Sequence, residues 1–62
     1  METQNSKWQA VAMKTYKTSE SPRVAIRTVH QLLRAAGEGG DLLQMAEGLV
    51  YEAESAVEMA GA

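Results

Sequence analysis

The sequence has no cysteine, no phenylalanine, one proline, one tryptophan and one histidine among its 62 residues. Without cysteine there is neither a disulfide staple nor a thiolate metal site, and a single histidine does not assemble a zinc site within one chain. Glu47, Glu54 and Glu58 form a carboxylate row, but no Glu-x-x-His pair accompanies them, so neither a metal nor another cofactor is expected. No apolar run approaches the roughly 20 residues of a membrane span, and the N-terminal residues lack the basic and apolar regions of a secretory signal. A cytoplasmic protein with no membrane association is the expectation.

Basic charge is missing from the second half of the chain. All six Lys and Arg residues lie at or before Arg34, where they meet two acids and leave residues 1–34 at +4; residues 35–62 hold six acids and stand at −6. The overall charge of −2 conceals this polarity. Such a split arises in a basic nucleic-acid arm with an acidic tail, or in two segments that neutralise each other.

The spacing favours neutralisation. Arg23, Arg27, His30 and Arg34 are 4, 3 and 4 residues apart, which places them on one stripe of a helix, and Glu47, Tyr51, Glu54 and Glu58 repeat the interval. The two sets are mirror images about the point between Gly40 and Asp41, inside the turn-forming stretch Gly37-Glu38-Gly39-Gly40-Asp41. Folding the chain there matches Arg34 with Glu47, His30 with Tyr51, Arg27 with Glu54 and Arg23 with Glu58. These eight residues read as a structural ion-pair ladder along an antiparallel helical hairpin. An exposed ion pair contributes only about 0 to 1 kcal/mol, so such a ladder sets register more than stability.

Local signals bound the two arms. Ser21 is suited to cap a helix that has Pro22 in its first position, and Gly37 is a natural stop, giving a first arm of about residues 22–36. Asp41 caps a second arm of about residues 41–60. Ala25, Val29, Leu32, Leu33 and Ala36 form the apolar stripe of the first; Leu42, Met45, Ala46, Leu49, Val50, Ala53, Ala56 and Val57 form that of the second. The same mirror sets Leu32 beside Leu49, Ala36 beside Met45, Ala25 beside Ala56 and Val24 beside Val57. It also sets Gly48 opposite Leu33, where a missing side chain would allow close approach. Leu43, Val50 and Ile26 are left for another surface.

A lone hairpin has no third surface on which to bury its apolar stripe, so homo-oligomerisation, most simply a dimeric four-helix bundle, is expected. The whole chain is then a single small all-α domain, with residues 1–18 as an N-terminal arm and residues 19–62 as the hairpin. Residues 1–6 are polar and patternless, as in a frayed terminus. Residues 7–18 are open to two readings. As a helix they put Trp8, Val11, Ala12 and Tyr16 on one face, and as a strand they alternate Val11, Met13 and Thr15 with Ala12, Lys14 and Tyr16.

Two classes of function follow. In the first, the chain is a non-catalytic interaction module, a small homo-oligomeric regulator, adaptor or inhibitor. Its arm presents Trp8, Met13 and Tyr16 with Lys14 and Lys17 to another protein, Trp and Tyr being types enriched at binding hot spots. The same aromatics could instead supply the bulk of a core that has no phenylalanine. A catalytic role is not expected, because His30 has no nucleophile or orienting partner in the pattern and a hairpin offers little concavity. In the second class, residues 10–18 form a strand that pairs with its twin. Strand, helix and helix in that order resemble the ribbon-helix-helix DNA-binding regulators, and the resemblance over residues 10–60 implies major-groove readout by Lys14, Tyr16 and Thr18.

Overall fold

The computed structural model describes residues 4–61, which form three helices: α1 (Gln4–Thr18), α2 (Pro22–Ala35) and α3 (Leu42–Gly61). The expected fraying of residues 1–6 falls partly on residues 1–3, which lie outside the described residues; the helix begins at Gln4. Between the two readings of residues 7–18, the helix is the one observed, and no strand occurs among the described residues.

The four helix ends at the two connections each have a local chemical cause. Ser21 caps α2 by accepting a hydrogen bond from the Val24 amide on its Oγ at 3.3 Å, and Pro22 follows it at the first helical position. Asp41 does the same for α3, its Oδ1 accepting from the Gln44 amide at 3.2 Å. At the end of α1, the hydroxyls of Thr18 and Ser19 donate to the Thr15 carbonyl at 3.2 and 2.6 Å, occupying a terminal acceptor that has no partner further along the helix. The end of α2 is a Schellman turn: the Gly37 amide donates to the Arg34 carbonyl at 3.1 Å and the Glu38 amide to the Leu33 carbonyl at 3.2 Å. That geometry needs a left-handed residue, and Gly37 has φ +77°.

The direction of the helices follows from what shares each groove. Trp8 and Gln9 border a groove with Gln44 and Gly48, Met13 borders one with Leu49 and Ala56, and Lys17 borders one with Ala60 and Gly61, so α1 ascends alongside α3. Pro22 shares a groove with Val57 while residues 36–41 join the other ends, so α2 descends between them.

The core is small and assembled from all three helices. Trp8 and Ala12 of α1, Ala25, Val29 and Leu33 of α2, and Ala46 and Val50 of α3 form one buried cluster, with Val11, Tyr16, Ile26, Leu42, Met45 and Leu49 packed around it. Leu33, Val29 and Val50 are its largest fully buried side chains, each contributing about 1.5 to 3 kcal/mol of transfer free energy.

The third helix changes the apolar pairing expected from the mirror. Ala25 is fully buried while Ala56 is exposed, and Leu32 and Ala36 are exposed as well. Val50, expected to be left over for another surface, is completely buried. The reason is that α3 has two neighbours. Its Met45 and Leu49 flank lines the groove beside Trp8 of α1, which turns Ala46, Val50 and Ala53 toward the centre. Gly48 lies on that same outer flank, where an added Cβ would meet nothing within 4 Å, so it is not there to admit Leu33. Part of the apolar stripe of α2 and α3 is thus covered within the chain by α1, while Leu32, Ala36 and Ala56 stay exposed, and the lack of a third surface no longer argues for oligomerisation.

Candidate functional site

Two surfaces gather the residues singled out by sequence. The first is the seam between α1 and α3. Trp8, expected to meet a partner, is only 8% exposed and belongs to the core, where its bulk replaces the missing phenylalanines. Met13 and Tyr16 are partly buried, and Lys14 and Lys17 are exposed. The five therefore do not form one patch: Trp8 faces inward, Met13 lies over α3, Tyr16 and Lys17 border the α1–α2 turn, and Lys14 stands in solvent.

Along this seam run three shallow grooves, two of about 230 Å³ and one, at the Lys17 end, of about 360 Å³. Gln9 and Glu52 line both of the first two and are joined by a hydrogen bond in which Gln9 Nε2 donates to Glu52 Oε2 at 3.1 Å. Sequence reading did not single out Gln9, Met45, Leu49 or Glu52 for this seam. The signal was present as a second stripe on α3, in which Met45, Gly48 or Leu49, Glu52 and Ala56 recur at intervals of 3 and 4 residues.

The second surface is the charged face of α2 and α3. Arg23, Arg27, Arg34, Tyr51 and Glu58 are exposed; His30, Glu47 and Glu54 are half-buried. On α3 three of the four acidic-stripe positions directly follow a residue turned to the interior, Glu47 after Ala46, Tyr51 after Val50 and Glu54 after Ala53, and the fourth, Glu58, follows the half-buried Val57. This offset of about 100° puts the stripe on the flank opposite the α1 seam, toward α2. On α2, His30 and Arg34 follow Val29 and Leu33 in the same sense. Because α2 runs opposite to α3, equal offsets bring the two stripes to the same face. Among the described residues no ion pair within 4.0 Å joins them.

Chemically, neither surface is an enclosed site. No group of three or more His, Asp or Glu side chains among the described residues is placed to hold a metal ion. No described helix is long and apolar enough to cross a membrane. The strand on which the ribbon-helix-helix resemblance depends is absent from residues 10–18, which lie in α1, so Lys14, Tyr16 and Thr18 do not present a β-ribbon to a DNA groove. Neither a protein-family model, nor a curated protein, nor a solved structure matches this chain.

Proposed function

We propose that the chain is a non-catalytic protein–protein interaction module, a small cytoplasmic regulator, adaptor or inhibitor that works as a homo-oligomer through the α2/α3 helical hairpin. The observation that carries this reading is the number of large apolar side chains left in water beside so small a core: Val24 and Leu32 on α2 and Leu43, Tyr51 and Met59 on α3 are between 40 and 80% exposed. Shallow, open grooves and apolar side chains spread over both helices suit a macromolecular partner better than a small substrate. The arginines of α2 do not redirect this reading toward nucleic acid, since Glu47, Glu54 and Glu58 border the same face and repel phosphate.

Light scattering coupled to size exclusion tests it on the intact chain, alone and mixed with random-sequence duplex DNA. A dimer or larger assembly that ignores DNA is the expected result. A monomer at every concentration overturns the homo-oligomer, and a salt-sensitive complex with DNA replaces the protein-binding module with a nucleic-acid-binding one.

A further inference from the structure

The charged face of α2 and α3 combines two properties. Each stripe repels itself within its own helix: Arg23 and Arg27 are four residues apart, as are Glu54 and Glu58, the spacing at which like charges destabilise a helix. And the stripes do not close onto each other inside the chain: among the described residues no ion pair within 4.0 Å joins them, which leaves their charged ends free for a partner.

A second copy of the chain satisfies both. The stripes lie side by side, parallel to the helix axes, and Pro22 shares a groove with Val57, so Arg23 lies near the height of Glu58 and Arg34 near that of Glu47. A two-fold axis within this face and parallel to the helices preserves every height while exchanging left for right. It therefore lays the basic stripe of each copy on the acidic stripe of the other, in register. The perpendicular two-fold would stack arginine on arginine and glutamate on glutamate, so the charge pattern selects one symmetry and disfavours the other. Apolar groups lie where such a contact would close: Leu43 is 51% exposed, and Ile26 lies half-buried between the core and the arginines.

We propose that this face is a homodimer interface in which Arg27 meets Glu54 of the partner subunit and Arg34 meets Glu47 of the partner subunit, each contact occurring twice about the axis. The proposal rests on the homo-oligomeric reading above and names its surface. The α2/α3 hairpins of the two copies stack face to face as a four-helix bundle, with each α1 on the outside.

The test uses two charge-reversed forms of the full chain, one carrying Arg27→Glu with Arg34→Glu and the other Glu47→Arg with Glu54→Arg. In analytical ultracentrifugation each form alone should dimerise at least about tenfold more weakly than the wild type, because every substitution acts twice in a two-fold dimer. Mixed in equal amounts, the acidic and basic forms should recover a dimer, which pairing confined within one chain does not allow. The wild-type dimer should also weaken between ionic strengths of about 0.1 M and about 1 M, as the Debye length falls from about 10 to about 3 Å. Far-UV circular dichroism verifies that the variants fold; if they do not, Arg27→Gln and Glu54→Gln replace them, and the wild-type salt series stands independently. A wild-type dimer indifferent to both reversals or to salt overturns this interface while leaving the homo-oligomer intact; a wild-type monomer overturns both.

Discussion

Gln9 and Glu52 are 43 residues apart in sequence and joined by a hydrogen bond of 3.1 Å across the surface of α1 and α3, next to the buried indole of Trp8. The bridge is exposed and the indole is not, which separates their expected contributions. Gln9→Ala should cost at most about 1 kcal/mol, whereas Trp8→Ala removes the largest side chain of a small core and should cost about 3 to 5 kcal/mol. Urea titration of the two variants checks this. Equal losses would mean that Trp8 does not serve as a core residue.

Two glycines should respond oppositely to the same substitution. Gly48 lies in the middle of α3 with open space around it, so Gly48→Ala should stabilise by about 1 kcal/mol, raising Tm by about 4 to 8 °C in a domain of this size. Gly37 has φ +77° in the turn that ends α2, so Gly37→Ala should destabilise by about 1 to 2 kcal/mol. Thermal melts of the two variants should move in opposite directions; a loss at Gly48 would reveal a close contact on that flank.

The caps carry the helix starts. Ser21→Ala and Asp41→Ala should each cost about 1 kcal/mol, since each leaves an amide of the first turn without its side-chain acceptor. The two sites belong to different helices, so the double variant should lose about the sum of the singles, as equilibrium denaturation would measure. A clearly smaller loss would show that α2 and α3 do not begin independently of one another.

Removing residues 1–18 should unfold the remainder. As a detachable arm, that segment could be lost at the expense of a partner alone; as α1, it takes Trp8 and Ala12 out of the core that all three helices share and uncovers Met45 and Leu49. Circular dichroism of the truncated chain should show most helicity gone at temperatures where the intact chain is folded. A cooperatively folded truncation product would restore the independent two-helix unit.

Residues 22–35 and 42–61 were legible as helices to within a residue of their ends because their punctuation is local. Ser21 with Pro22, Asp41 and Gly37 act through hydrogen bonds spanning three to five residues, and those bonds are the ones observed. The two charge stripes were equally legible, since a spacing of 3 and 4 fixes a helix face wherever the helix packs. Residues 7–18 admitted both a helix and a strand, because a short apolar pattern with lysines satisfies either period, and contact with α2 and α3 decided it.

Which side of each helix faces inward was a tertiary decision. Val50 became core while Leu32 stayed half in water, and Gly48 turned outward instead of toward Leu33, because α1 occupied one flank of α3 and rotated its apolar stripes relative to α2. Where the helices of the hairpin start and stop, and which charges share a face, were fixed along the chain, both being matters of a few bonds between near neighbours. Burial depends on what lies across a gap of tens of residues, so the interior position of Trp8 and the covering of the α2/α3 stripe were decided when the three helices met.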